Sequence, residues 1–240
     1  IKLSIMTIDQ VLNELKSYAS EQTRNILMKH GAPQNTLGVK VGDMKKIQKK
    51  VIKDQGLALE LYASGIPDAM YLAGLIADEN QVDMAMLDKW VQNSNWQTLY
   101  EYTVPWLAAD SGLGVQAGLE WIKSDHEGIA SAGWSALSSA LSVSTDDDLD
   151  MDMFKDLLDS IPARMDSAPG RVKYTMNGFV IAAGCFVEAL NAKATAIAQK
   201  IGKLEIDMNG TACKVPHAPD YIKKVLDKGY VGKKKKMARC

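Results

Sequence analysis

Apolar residues recur along most of the chain at the spacing of amphipathic helices. Ile8, Val11, Leu12 and Leu15 fall on one stripe, and Thr7 precedes them as a residue type that caps helix N-termini. The pattern therefore predicts a chain that is almost entirely helical. Further helices are predicted at about 21–29, 43–54, 57–64, 67–78, 81–92, 97–109, 113–124, 127–142, 149–160, 168–190, 192–201 and 220–228.

Short turns rich in Gly, Pro, Asn or Asp join these helices and leave little room for a sheet. Helix pairs recur every ~30–45 residues, the period of solenoid repeats whose units bury their apolar faces only by stacking. In the helix predicted at 127–142, large apolar residues follow 4-3-4 spacing, and the serines and alanines between them are small enough for close helix approach. We expect an all-α fold, an α-solenoid or superhelix of helix pairs, with residues 1–228 as one domain.

The last forty residues follow a different pattern. Residues 203–207 alternate like a short extended segment, and Asn209-Gly210 indicates a turn. Residues 229–240 carry a run of basic side chains that predicts a mobile, basic C-terminal tail. These are Lys233, Lys234, Lys235, Lys236 and Arg239.

Charge is distributed unevenly, although the formal net charge is only −1. Residues 1–60 hold ten Lys and Arg against six Asp and Glu, a balance of +4. Residues 61–167 hold four against eighteen (−14), and residues 168–240 hold fourteen against five (+9). If the two ends of a curved solenoid flank one face, they present a positive rim to a polyanion. The alternative is that these charges lie on ordinary solvated helix faces.

Composition excludes several other classes of protein. Hydrophobic residues make up 47% of the chain, yet no apolar run approaches the ~20 residues that span a bilayer, and we expect no signal peptide and no membrane partner. Three scattered cysteines fit a reducing compartment, so we expect a cytoplasmic location. We also expect a monomer.

Few residues form a recognisable catalytic motif. The chain contains no glycine-rich phosphate loop, no Ser/His/Asp arrangement and no Cys-x-x-Cys pair. Cys213 and His217, with Asp207 nearby, supply at most three ligands without the second pair that makes zinc motifs specific. We therefore expect neither a metal nor a cofactor. Trp96 follows a polar stretch and is either an ordinary core tryptophan or an indole at the edge of a groove.

Five segments resemble, in order, the DNA alkylation repair family, which comprises AlkD-type DNA glycosylases built from HEAT-like helical repeats. Residues 35–39 (Asn-Thr-Leu-Gly-Val) and the lysine-rich helix 43–54 resemble its Gly-Val turn and basic helix. Residues 95–100 and 172–179 resemble its Trp-rich helix start and a late helix before an aromatic position. Residues 207–216 resemble a C-terminal segment of one branch. The resemblance covers about residues 7–228.

The resemblance implies binding of duplex DNA on a concave basic face and, in active members, excision of N3- or N7-alkylated purines. Such a purine is cationic and is a good leaving group, so the enzyme mainly has to stabilise a sugar that becomes oxocarbenium-like. A carboxylate near the sugar stabilises its positive charge, and aromatic faces shelter the cationic base. Trp96, Tyr100 and Glu101 are the corresponding catalytic candidates here.

Several positions depart from the pattern of active members. Trp96 matches the family's tryptophan, but Tyr100 stands four residues later, where active members carry an aspartate. Glu101 is one residue farther, which on a helix rotates a side chain by about 100°, so it replaces the aspartate only if the helix is shifted. The arginine expected on the helix at 127–142 is missing, and Phe179 stands at or next to the second aromatic position.

We therefore expect a DNA-binding protein that contacts mainly phosphates, with Trp96, Tyr100 and Phe179 along the middle of the groove. A scaffold that holds a protein or peptide on its concave face is the alternative, favoured by the sequence pI of about 6.4. Lysines that converge on the concave side would distinguish DNA binding from it. The expected phosphate contacts are Lys45, Lys46, Lys49, Lys50, Arg171, Lys173, Lys233, Lys234, Lys235 and Lys236.

Overall fold

The computed structural model describes residues 6–208 and 210–239, so Asn209 of the expected turn and Cys240 lie outside the described part. A π-helical turn spans Leu99–Thr103, and short 3₁₀ turns span Glu79–Gln81 and Asp146–Asp148. No strand occurs among the described residues, so the all-α prediction is confirmed. The α-helices are α1 (Ile8–Tyr18), α2 (Glu21–Lys29), α3 (Val41–Val51), α4 (Gln55–Ala63), α5 (Pro67–Ile76), α6 (Met84–Asn93), α7 (Val104–Asp110), α8 (Gly114–Trp121), α9 (Glu127–Val143), α10 (Met151–Ser167), α11 (Gly170–Phe186), α12 (Glu188–Ile201) and α13 (Ala218–Asp227).

Helix starts follow local capping chemistry in most places. Thr7 caps α1 with a reciprocal box: its backbone N–H donates to Gln10 Oε1 at 2.9 Å, and its hydroxyl accepts from the Gln10 N–H at 3.3 Å. Asp54 and Asp83 cap α4 and α6 with a side-chain oxygen that accepts from the N–H of the third residue after it. α3 begins at Val41, two residues before the start predicted at residue 43, so that Asp43 lies in its first turn.

Helix α10 extends beyond its predicted end at residue 160. The helix continues through Pro162 because its buried stripe, Phe154, Leu158, Ile161 and Met165, keeps 4-3-4 spacing across the proline. Packing of that stripe outweighs the hydrogen bond that the proline removes.

The helices stack in two layers, as expected for helix pairs. An inner row of α3, α5, α7, α9, α11 and α13 packs each helix against the next, and outer helices such as α4, α8 and α12 cover it. Two apolar clusters meet on α9, one containing Ala132 and the other containing Trp134. The prediction of an α-solenoid of stacked helix pairs is confirmed. No helix in the described ranges is long and apolar enough to cross a membrane.

Small residues on α9 allow the close approach that the sequence predicts. A Cβ added at Gly133 would lie 2.5 Å from the backbone nitrogen of Ile122, and one at Gly118 of α8 would lie 2.5 Å from Leu137. Ser131 and Ser135 are buried on the same helix. Helix α9 therefore packs directly against α7, α8 and α11 and forms the centre of the stack.

The turn at residues 35–39 is held by a buried carboxylate at the start of α5. Asp68 accepts backbone N–H bonds from Leu37 (2.7 Å), Gly38 (3.1 Å) and Val39 (2.8 Å). Gly38 has φ +88°, and a Cβ there would lie 2.6 Å from the Ser20 carbonyl oxygen. This anchoring sets the position from which α3 begins.

The basic C-terminal segment is packed against the stack, which corrects the expectation of a mobile tail. We call residues 229–239 the C-terminal strap. The Gly232 N–H donates to the Cys185 carbonyl (3.0 Å) and the Lys235 N–H to the Ser142 carbonyl (2.8 Å), at the C-terminal ends of α11 and α9. The Ala238 N–H donates to Asp110 at the end of α7 (2.6 Å). Helix C-termini leave carbonyls unpaired and carry partial negative charge, so a basic strap stabilises them.

Arg239 extends this strap to α5. Its guanidinium donates to the carbonyls of Gly74 (3.2 Å) and Ala77 (2.8 Å) and forms ion pairs with Asp110 (2.8 Å) and Glu79 (2.6 Å). The Arg239 side chain is only 5% exposed. The strap thus connects α13 back to the C-terminal ends of α11, α9, α7 and α5, and it belongs to the same structural unit as residues 6–228.

Candidate nucleic-acid interface

A π turn determines which side chain follows Trp96 into the groove. Leu99–Thr103 adopts π-helical geometry immediately before α7. One extra residue in a helical turn shifts the following side chains by one position, and such turns are frequent at functional sites. Glu101, rather than Tyr100, therefore faces inward and is 5% exposed. This is the helix shift that Glu101 requires to replace the missing aspartate.

Glu101 is paired with an arginine from a distant helix. Arg171, in the first turn of α11, donates from Nε to Glu101 Oε1 at 2.7 Å, and its Nη2 donates to the second carboxylate oxygen. The guanidinium also lies over the Tyr174 ring, 4.3 Å from the ring centroid. Burial raises the pKa of the Glu101 carboxyl above its ordinary value, and the Arg171 guanidinium offsets part of that increase.

This ion pair lies on the wall of a cavity of about 570 Å³, which we call the central cavity. Both α3 and α11 contribute side chains to its wall, although three helices separate them in the inner row, so the row is curved. The aromatic rings on its wall are those of Tyr71, Trp96, Tyr102, Trp106 and Tyr174.

Charged residues on the wall of the central cavity do not make it acidic. The Asp68 carboxylate is occupied by three backbone N–H groups, and Glu101 is neutralised by Arg171. Lys214 also lines the cavity, is exposed, and forms no ion pair with any residue that the structure describes. The cavity therefore offers free positive charge and no free carboxylate.

Trp96 combines the two interpretations that its sequence context allows. The indole is 9% exposed, and its Nε1–H donates to the His30 carbonyl oxygen at 3.0 Å, which ties the end of α2 to this turn. The same side chain lines the central cavity. Trp96 is therefore a largely buried residue with one edge available to a bound molecule.

Tyr100 does not line the groove, contrary to expectation. The π turn directs its ring toward the start of α9, where it lies 5.8 Å from the His126 ring and packs against Gly128. A Cβ at Gly128 would lie 2.6 Å from that ring. Tyr100 is a packing residue between the π turn and α9.

Phe179 is also wrongly predicted as a groove residue. It is 0% exposed, with its ring centroid 5.2 Å from that of Trp134 and 6.2 Å from that of Phe154. Its position on α11 faces α9 and α10 because the apolar stripe of α11 is the buried one. The aromatic residue that α11 contributes to the groove is Tyr174.

The lysines of α3 separate into two groups. Lys46 pairs with Asp43 (2.7 Å) and lies over the Tyr18 ring, and Lys50 pairs with Glu14 of α1 (2.6 Å). Lys45 and Lys49 form no ion pair within the described ranges. Lys45 follows Val41 by four residues and adjoins Met44, both of which line the central cavity. Lys45 and Lys49 are thus on the side of α3 nearer the cavity.

The remaining predicted contacts differ in how they are held. Lys173 is half-buried in the first turn of α11, and no ion partner is seen for it in the described chain. Lys234 pairs with Asp146 (2.8 Å) and donates to the Leu141 carbonyl. Lys233 and Lys235 lie over the rings of Tyr230 and Phe186.

Sequence reasoning missed several residues that shape the site. Tyr102, Trp106 and Tyr174 line the central cavity, and Arg239 anchors the strap. The stretch Leu99–Trp106 contains three aromatic residues in eight positions. That is more than one buried stripe needs, and it was the available sequence signal for this site. No local signal identified Arg171 as the partner of Glu101, because the two are 70 residues apart.

Comparison with known proteins identifies the family. A model of the family described as "DNA alkylation repair enzyme" matches residues 11–194. A solved structure described as "a new family of proteins related to the HEAT-like repeat DNA glycosylases with affinity for branched DNA structures" superposes with a TM-score of 0.90 and 33% identity, covering 98% of this chain and 100% of that one. The uncharacterized proteins Lin0241 of Listeria innocua and Lmo0209 of Listeria monocytogenes are each 29% identical over 230 residues, 93% of this chain and 99% of theirs. The chain belongs to the DNA alkylation repair family.

Proposed function

We propose that this protein binds DNA, with branched duplexes as its preferred target, along the face that contains the central cavity. The affinity of the structurally similar protein for branched DNA supports this choice of target. Contacts are mainly to phosphates, because lysine side chains position the backbone and carry little sequence information. The protein acts as a monomer in a reducing compartment such as the cytoplasm, which the free thiols of Cys185 and Cys213 support.

The observation that carries this proposal is the set of unpaired lysines beside the central cavity, whose own wall has no free carboxylate among the described residues. Lys45 and Lys49 lie on one side of this cavity, and Lys214 lies on its wall. On and beside this wall, Glu14 is paired with Lys50 and Glu101 with Arg171, whereas Glu205 and Asp207, which line a neighbouring pocket with Lys214, form no ion pair among the described residues. A polyanion laid across this face would meet unpaired lysines, which favours DNA over a peptide scaffold.

Excision of alkylpurines is a second candidate, favoured by one observation. The π turn brings Glu101 next to Trp96 and other aromatic rings, the combination that stabilises a cationic leaving base and its sugar. The bidentate contact with Arg171 opposes this function, because a neutralised carboxylate stabilises a developing positive charge much less. DNA binding without base excision is therefore the function that the geometry supports best.

DNA binding is expected to depend steeply on salt. If ~4–6 phosphates are neutralised, the logarithm of the binding constant should fall with the logarithm of salt concentration at a slope of roughly −4 to −5. Replacing both Lys45 and Lys49 with glutamine should reduce the magnitude of that slope by about 2. Fluorescence anisotropy with a labelled four-way junction and a linear duplex of equal length measures both quantities, and the junction should bind more tightly.

The matched control is the double variant Lys46→Gln, Lys50→Gln on the same helix. Those two lysines face α1 and pair with acidic residues, so their removal should change the slope less than removal of Lys45 and Lys49. A slope near zero for the unmodified protein would reject DNA binding and leave the peptide scaffold. Equal effects of the two double variants would show that α3 does not present one particular side to DNA.

Base excision is tested separately by a single-turnover assay. Duplex DNA that carries 7-methylguanine is incubated with excess protein, and release of the free base is compared with the spontaneous rate. We expect no release above the spontaneous rate, because Arg171 occupies both Glu101 oxygens. Release that disappears in Glu101→Gln would instead establish glycosylase activity.

A further inference from the structure

A second cavity adjoins the central cavity and has a different chemistry. It has a volume of about 270 Å³ and lies between α9, α11, the π turn and the C-terminal strap. We call it the serine cavity, because Ser135, Ser138, Ser139 and Ser142 of α9 form one wall. Its volume is at the lower end of ligand pockets and accommodates one flat ring system, but no longer chain.

The serine cavity contains a buried acceptor without a partner. Asn177 lines it and is 1% exposed, and its Nδ2 donates to the Pro216 carbonyl oxygen at 2.9 Å. The Pro216 carbonyl oxygen can only accept, so the Asn177 atom that contacts it must be the donor Nδ2. This fixes the orientation of the Asn177 amide and identifies its remaining polar atom as the acceptor Oδ1. Oδ1 has no hydrogen-bond partner among residues 6–208 and 210–239. A buried amide oxygen of this kind is normally paired, either with ordered water or with a donor from a bound molecule.

The serine wall adds further acceptors. The hydroxyl of Ser138 donates to the Trp134 carbonyl at 2.7 Å, and that of Ser142 donates to the Ser139 carbonyl at 2.7 Å. The hydroxyl hydrogens of Ser138 and Ser142 are therefore used within α9, and the lone pairs of these two oxygens are left to accept from N–H groups of a bound molecule.

Aromatic side chains complete the cavity and connect it to the proposed DNA path. Glu101, Tyr102, Trp106 and Tyr174 line both the serine cavity and the central cavity, so the two are adjacent. Aromatic side chains provide stacking surfaces for unpaired bases. Lys235 of the strap, on the opposite wall, supplies one positive charge for an adjacent phosphate.

From these features we infer that the serine cavity binds one unstacked, amino-bearing nucleobase supplied by the branch point of DNA. Adenine, cytosine and guanine carry exocyclic amino groups that donate to Asn177 Oδ1 and the serine oxygens, whereas thymine offers a single ring N–H. An unpaired base is available where a single-stranded flap leaves the duplex, and not within a linear duplex. The inference rests on the proposed DNA binding and explains how a branch is distinguished from a linear duplex.

A glycine on the wall allows the cavity to be filled without disturbing the core. Gly178 lies inside α11 and lines the serine cavity, and a Cβ built there meets no atom within 4 Å. Gly178→Leu therefore places a side chain in the cavity and also removes a glycine from a helix interior. Gly56→Leu in α4 is the matched control, because that glycine is also helical, a Cβ there meets only the Asp54 side chain at an ordinary contact distance of 3.6 Å, and it lies outside both cavities.

The experiment uses the full chain and a flap DNA with one unpaired 2-aminopurine at the branch. Binding should change the 2-aminopurine fluorescence and should be roughly 5- to 150-fold tighter than binding to the same DNA with an abasic site there. Gly178→Leu should abolish both effects without weakening binding to linear duplex, and Gly56→Leu should retain both. Unsubstituted purine at the branch should bind more weakly than 2-aminopurine.

Each contrary result has a distinct meaning. Equal affinity for the 2-aminopurine and abasic flaps would overturn the base pocket while leaving DNA binding intact. Unchanged fluorescence and preference in Gly178→Leu would place the base elsewhere and also reject the serine cavity. Equal binding of purine and 2-aminopurine would reject recognition of the amino group by Asn177. Absence of any DNA binding would overturn the proposed function and this inference together.

Discussion

Replacing Arg239 with leucine should destabilise the whole protein by about 3–5 kcal/mol, although the residue is next to the C-terminus. The substitution leaves Asp110, whose side chain is 4% exposed, without its ion partner, and removes donors from two carbonyls at the end of α5. For a chain of this size the midpoint of thermal unfolding should fall by roughly 6–20 °C. Backbone N–H bonds from residues 238 and 239 to Asp110 remain, which favours the lower part of that range.

The control for Arg239 is Lys236→Gln, on the same strap. Lys236 is exposed and has no ion pair within the described residues, so its replacement should change stability by no more than about 0.5 kcal/mol. Calorimetry of both variants at neutral pH compares them. An unchanged midpoint for Arg239→Leu would mean that the strap does not hold the helix ends together in solution.

Replacing Arg171 with methionine should have a similarly large effect that depends on pH. The variant leaves the Glu101 carboxylate buried with no opposite charge, which we expect to cost about 3–5 kcal/mol at neutral pH. Burial already raises the pKa of Glu101, and without Arg171 nothing offsets that increase. A group whose pKa is higher in the folded than in the unfolded state loses stability as pH rises through the folded value. Arg171→Met should therefore be less destabilised at pH 5 than at pH 8.

The double variant Glu101→Gln, Arg171→Met separates charge from packing. Neither side chain titrates in this variant, so the additional pH dependence should disappear and part of the lost stability should return. Urea unfolding midpoints at the two pH values give the comparison. If the single variant shows the same loss at pH 5 and pH 8, the destabilisation comes from lost packing of the arginine stem and not from an unpaired carboxylate.

Much of the fold was predictable because the spacing of apolar residues within each helix specifies which of its faces is buried. The cap at Thr7 and the 4-3-4 spacing on α9 are local features, and both occur in the structure as predicted. The helix pairs and the family followed from patterns of this kind. Helix α10 was predicted too short, because its buried stripe continues past Pro162 to Met165.

The candidate site was predicted only in part. Trp96 and Glu101 were both identified, but a regular helix made Glu101 a poor substitute for the missing aspartate. Only the π turn, which packs against α5 and α9, directs Glu101 toward the central cavity and Tyr100 toward the start of α9. A one-residue shift of this kind depends on tertiary neighbours: a Cβ at Gly74 of α5 would lie 2.3 Å from Thr103. Phe179 was misplaced because an aromatic residue on a helix packs equally well in a core or in a groove.

The sequence alone determined the helices, their pairing into a solenoid and the family, because the spacing of apolar residues along one helix specifies its buried face. Only the tertiary structure decided which side chains meet across the groove. Arg171 reaches Glu101 from 70 positions away, and Arg239 reaches α5 from 160 or more. A run of lysines indicates positive charge, but the helix-end carbonyls that hold the strap are distant in sequence and become neighbours only when the helices stack.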